Sequence, residues 1–173
     1  MSSILLGFAA SAQEALFQAQ NIVSPEVNAD NSVTFRLFAP NAQAVQVTGD
    51  FLPSVKMDTP MGQMDGSGKA TLTKDANGVW SFKTPVLNPE LYAYSFVVDG
   101  FTATDPSNPF LIRDVGTATN FFLIGGGQGD LYKTNDIPHG TVSRRWYDSP
   151  GLGMDRRLTV YTPPGYETTK ESY

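Results

Sequence analysis

The 173 residues contain one histidine, His139, and no cysteine, so the chemistry available to the chain is narrow. A Ser-His-Asp arrangement needs a general base within reach of a serine, and His139 lies in the turn Pro138-His139-Gly140. No Gly-x-Ser-x-Gly elbow is present; Gly66-Ser67-Gly68 is too short and falls in a connection. Paired carboxylates are formally available among seventeen acidic residues. Asp30, Asp65, Asp75, Asp99 and Asp105 are scattered over turns, where aspartate commonly serves the backbone. One histidine without cysteine excludes a typical zinc site, and no calcium loop is complete. The residues thus assign no catalytic group, no metal ligand and no cofactor. What remains is aromatic: exposed rings stack on sugar faces. Trp80, Phe82, Tyr92, Tyr94 and Phe96 alternate along strands and read as core. Phe101, directly after a turn, and Phe51, at a strand end, are the rings free to face outward.

These residues are carried by short strands. Residues 1–129 hold six basic and eleven acidic side chains, whereas residues 130–173 hold six of each. An acidic body without a basic stripe argues against nucleic acid or an anionic membrane as partner. From Ser32 onward apolar residues recur with period two, the mark of half-buried strands. The strands are read at 32–40, 44–51, 69–74, 78–84, 91–98, 101–105 and 118–125. Asn77-Gly78 and Asp99-Gly100 supply the positive φ values of tight hairpins. Seven short strands, each with one apolar face, predict an all-β, immunoglobulin-like β-sandwich over 25–125.

Three segments lie outside this pattern. "ILLGFAASAQ" (4–13) is a short apolar run ending in an Ala-x-Ala site; it reads as a signal-peptide remnant over 1–12 and a secreted or periplasmic protein, or as a short helix over 11–19. The stretch 52–68 is aperiodic and carries Met57, Met61 and Met64. It is either an adaptable contact surface or a loop folded on its own sandwich. The glycines of "GGGQGD" open a linker over 126–140. Beyond it, "TVSRRWY" (141–147) and "RRLTVYT" (156–162) form a hairpin whose arginine pairs place one arginine on each face. A lone two-stranded hairpin is marginal in water, so it is expected to need further structure.

"VTFRLFAPNAQAVQVTGDF", "NGVWSFKTPVLNPELYAYSFVVDG" and "DPSNP" resemble carbohydrate-binding module family 48, over about 25–125. "IPHGTVSRRWYDSPGLGMDRRLTVYTPPGYE" resembles the opening strands of carbohydrate esterase family 1, of the feruloyl esterase and esterase D type. The second resemblance implies that 141–173 begins a truncated α/β-hydrolase domain. Together they imply a non-catalytic accessory module of a hemicellulose-active feruloyl or acetyl xylan esterase. Its partners would be an arabinoxylan-like plant cell-wall polysaccharide and the downstream esterase domain, and the alternative is a structural domain that shapes the esterase without binding sugar.

Starch-binding members of the module family carry a tryptophan after the Gly-x-Phe turn, where this chain has Leu52, Pro53 and Ser54. They carry another after the Asp-Gly hairpin, where it has Phe101 and Thr102, and a lysine at the place of Ser95. Those departures argue against glycogen or starch. Thr117 and Asn120 keep the family's polar pattern, so the resemblance implies Phe101, Thr117 and Asn120 as carbohydrate-binding residues. Residues 1–173 alone are expected to hydrolyse neither feruloyl nor acetyl esters. A chromogenic ester assay checks this, and turnover above buffer would contradict it.

Overall fold

A computed structural model describes residues 22–114 and 116–170; the N-terminal run read as a signal remnant or helix lies outside them. The described residues form fourteen strands and divide into two units at Lys133/Thr134. In the first unit, β1 (Glu26–Val27), β2 (Val33–Phe38), β7 (Thr73–Lys74) and β8 (Val79–Lys83) build one antiparallel sheet, ordered β1-β2-β8-β7. The second sheet contains β3 (Val45–Gly49), β6 (Lys69–Thr71), β9 (Leu91–Val98), β10 (Phe101–Ala103), β11 (Leu111–Asp114) and β12 (Thr117–Leu123). Its order is β11-β12-β9-β3-β6, and β10 also pairs with β9. The fold is the expected all-β, immunoglobulin-like sandwich.

Period two decides which side chains fill the space between the sheets. Val33, Phe35 and Leu37 of β2 are buried against Val45 and Val47 of β3, Tyr94 and Phe96 of β9, and Phe122 of β12. Phe35 is the centre: its ring lies 4.8 Å from Tyr94, 5.2 Å from Phe51 and 5.6 Å from Phe122, centroid to centroid. Trp80 is buried, and its indole N–H donates to the Ala39 carbonyl at 2.9 Å. The ring's one polar atom is therefore satisfied.

Three local readings change. The stretch 69–74 is two strands, because the chain crosses from one sheet to the other at Leu72. Leu72 is 2% exposed and its N–H donates to the Val45 carbonyl, so it fills the open corner of the sandwich. Period two continues through the crossing, which hides it in the sequence. The aperiodic stretch 52–68 contains a hairpin, β4 (Val55–Thr59) with β5 (Gly62–Gly66). At Asp75–Gly78 only Gly78 has positive φ, 82°. The Asp75 carboxylate accepts the N–H groups of Asn77 and Val79, closing a wider turn than the tight one expected. Asp99-Gly100 does adopt the tight turn, with φ of 48° and 91°.

The glycines at 125–129 lie against the sandwich. Residues Gly127–Tyr132 form a 3-10 turn, and a Cβ on Gly129 would fall 1.9 Å from the Ile124 carbonyl oxygen, so only glycine fits there. In the second unit, β13 (Thr141–Ser149) and β14 (Met154–Thr162) pair over nine residues as a sheet of their own. Arg144 and Arg157 share one face, Arg145 and Arg156 the other. Arg157 lies over the Trp146 ring, 5.7 Å from its centroid.

Inside the first unit sits a buried polar cluster. Asp105 is 2% exposed, and its Oδ2 accepts from Ser24 Oγ at 2.6 Å and Tyr94 OH at 2.8 Å. Its Oδ1 accepts the Ser107 N–H, and its own N–H donates to Asn120 Oδ1 at 2.7 Å. Burial pushes the Asp105 carboxyl above the ordinary value of 3.8, and the three hydrogen bonds it accepts only partly oppose this. Asp105→Ala leaves three buried donors unanswered and is expected to cost about 3 kcal/mol or more, read by urea denaturation. Above pH 3.8 the folded state holds more protons at Asp105 than the unfolded chain does. The residue's contribution therefore falls as pH rises through the raised pKa. Wild type should gain on Asp105→Asn as pH is lowered through that window; a pH-independent difference would contradict this.

Candidate functional site

The outward face of the larger sheet follows from its inward one. Tyr94, Phe96, Asn120 and Phe122 point into the sandwich, so Ala93, Ser95, Thr117, Thr119 and Phe121 point out. Thr48 opposes Ser95 across β3 and β9, and Ile112 opposes Thr119 across β11 and β12. Phe121 opposes Ala93, and its ring lies 5.6 Å from that of Phe110, tilted at 49°. Two neighbouring rows result. One is made of hydroxyls (Thr48, Ser95, Thr119), and the other runs from Asp50 past Ala93 to two phenylalanines.

Between the rows lies a shallow groove of about 140 Å³, lined by Thr48, Gly49, Asp50, Ser67, Ala93, Ser95 and Thr119, with Tyr94 beneath. Small residues make it. A Cβ on Gly49 would stand 2.7 Å from the Ala93 carbonyl oxygen, so a larger residue would push β3 from β9. Thr48 Oγ1 donates to the Gly68 carbonyl at 2.9 Å, which leaves its lone pairs as acceptors. Asp50 Oδ1 accepts the Ala93 N–H at 2.9 Å. Burial, together with Glu90, raises the Asp50 pKa above the ordinary aspartate value. Acceptors in a groove beside two half-exposed rings suit a ligand with many hydroxyls and an apolar face. They contain no nucleophile–base pair, and among the described residues no group of three His, Cys, Asp or Glu could hold a metal.

The three residues named from sequence are not brought together. Asn120 is fully buried: its Nδ2 donates to the Asn108 and Phe110 carbonyls, and its Oδ1 accepts the Asp105 N–H. It is a brace inside the fold, so its assignment as a sugar contact is corrected. Phe101 is 79% exposed, but it opposes Val98, whose side chain packs on the core, so it shares the inward parity of β9 at the sheet's end. Thr117 opens β12 on the outward face, with Thr119. Sequence reasoning missed Phe121 and Phe110. The doublet Phe121-Phe122 held a signal, since in a strand one of two adjacent rings must leave the core.

Residues 23–110, just over half of the chain, match carbohydrate-binding module 48 (isoamylase N-terminal domain). The chain belongs to this family. The chain is also similar to an endo-1,4-beta-xylanase/feruloyl esterase of Xylanibacter ruminicola, at 27% identity over 143 residues. That match covers 82% of the chain and 18% of the relative, so the chain spans under a fifth of that protein's length. Among solved structures, the catalytic module of the glycogen-degrading pneumococcal virulence factor SpuA aligns at 18% identity and TM-score 0.45, over 77% of this chain and 20% of that one. The Paenibacillus barengoltzii pullulanase aligns at 23% identity and TM-score 0.34, over 54% and 13%.

The module's two polar positions on β12 should separate cleanly. Asn120→Ala removes three buried hydrogen bonds and is expected to cost about 2–3 kcal/mol. Thr119→Ala, on the outward face, should cost less than about 1 kcal/mol. Thermal or chemical denaturation of both variants measures this, and equal losses would contradict the assignment of faces.

Proposed function

We propose that this module is the non-catalytic accessory part of a secreted, hemicellulose-active ester hydrolase of the feruloyl or acetyl xylan esterase kind, and that it binds xylan-type polysaccharide. The observation that carries the reading is the outward face of the larger sheet, where a hydroxyl row and an aspartate flank a groove and Phe121, opposite Ala93, stands beside Phe110 on the same face. Asp50 and Thr48 accept hydrogen bonds from sugar hydroxyls, and the phenylalanine rings cover the apolar face of a neighbouring unit. Thr117, two residues before Thr119 on β12, adds a hydroxyl on the same face.

The relative supports the enzyme context. Only 22 residues precede the matched module, so part of the 143-residue similarity lies beyond residue 110. That similarity is to a protein named for both xylanase and feruloyl esterase activity. The hairpin β13–β14 supports the same reading. Among the described residues it is a two-stranded sheet of its own, and it exposes Trp146, Tyr147 and Tyr161, as the first strands of a separate sheet would.

Retardation in gels containing arabinoxylan, unsubstituted xylan or starch tests the reading. The xylans are expected to slow the protein and starch to leave it unmoved. Phe110→Ala should weaken xylan binding about tenfold, the loss of one stacking ring with its covered area. Phe101→Ala, on the opposite parity, should leave binding intact. Loss with Phe101→Ala alone would move the site to the sheet's end, and unchanged mobility in every gel would favour a purely structural module.

A further inference from the structure

The two outward phenylalanines are joined by a side chain that lines no part of the groove. Asn108 is 6% exposed and lies in the connection between β10 and β11. Extending the β11–β12 register by one pair sets Phe110 opposite Phe121. Residues directly opposed in an antiparallel ladder exchange two backbone hydrogen bonds or none. Here one is direct: the Phe121 N–H donates to the Phe110 carbonyl at 3.2 Å.

The second runs through Asn108. The Phe110 N–H donates to Asn108 Oδ1 at 2.9 Å, and Asn108 Nδ2 donates to the Phe121 carbonyl at 2.9 Å. A carboxamide thus stands in the ladder where the return bond would be. It sets the gap between the two backbones and, with it, how the rings meet. Phe110 is 61% exposed, and among the described residues its ring contact is Phe121.

The amide is itself held. Its other proton goes to Tyr94 OH at 3.0 Å, and the Asn108 carbonyl accepts from Asn120 Nδ2 at 2.9 Å. Both amide protons are engaged inside the fold, so Asn108 has no donor left for a sugar. A stacking ring that is ordered only on binding loses affinity to that ordering. We propose that Asn108 is a positioning residue of the polysaccharide surface. Through the Phe110 N–H and the Phe121 carbonyl it holds the two rings in their stacking arrangement without touching the ligand. This rests on the polysaccharide reading above and adds the residue that sets its ring pair.

Calorimetric titration of xylohexaose into wild type, Asn108→Ala, Phe110→Ala and the double variant tests this. Asn108→Ala is expected to weaken binding about fivefold, the effect of one loosened ring. Because Asn108 acts through Phe110, its loss should weaken binding no further in the Phe110→Ala background, while still lowering the denaturation midpoint there. Nuclear Overhauser contacts between the two rings, present in free wild type, should vanish in Asn108→Ala. Asn108→Ser keeps an acceptor for the Phe110 N–H. Should the alanine variant not fold, the serine variant gives the same comparison, with a loss of about twofold. Unchanged affinity in a folded Asn108 variant, or losses that add to those of Phe110→Ala, would overturn this inference and leave the polysaccharide reading intact. Wild type that binds no xylohexaose would overturn both.

Discussion

A single buried carboxylate organises the end of the sandwich that carries the groove. Asp105 gathers Ser24 from the N-terminal segment, Tyr94 from β9, Ser107 from its own loop and Asn120 from β12. Desolvating a carboxylate is expensive, and this one is retained because each of its oxygens is answered. Asn108 continues the cluster, donating to Tyr94 OH and to the Phe121 carbonyl while its Oδ1 accepts the Phe110 N–H. Asn120 then donates to the Phe110 carbonyl. The backbone of the exposed ring Phe110 is thus held at both of its polar groups by side chains of a buried network, and Phe121 is the strand residue it leans on.

That link between interior and surface explains why polar residues near the last strand do different jobs. A ring used for stacking must be positioned before the sugar arrives, or its ordering is charged against affinity. Here the cost falls on the fold: the cluster fixes the loop 105–110, and β12 fixes Phe121. The hydroxyls of Thr48 and Thr119 and the Asp50 carboxylate sit on strands or at their ends, where backbone pairing holds them. The surface is consistent with a rigid platform for a chain molecule.

Much of this was legible in the sequence, for identifiable reasons. Alternation gave the inward sets of β2, β3 and β9, and the Asp99-Gly100 turn behaved as its residue types require. The crossing at Leu72 was not legible, because an apolar residue at the right parity satisfies either sheet. The β4–β5 hairpin was hidden because, beyond Val55, its apolar face is made of methionine and glycine, which carry little strand signal. The resemblance implies Asn120 as a sugar contact, although its parity with Phe122 places it inside. Phe110 has no strand pattern around it; only the fold of the Asp105 loop reveals its pairing with Phe121.

The central claim is that the outward face of the larger sheet is the polysaccharide surface. Backbone amide shifts of the labelled protein, titrated with xylohexaose, test it most directly. The account predicts perturbations concentrated at Thr48, Asp50, Ser95, Thr119, Phe121 and Phe110. Perturbations centred on Phe101, or none at saturating ligand, would contradict it.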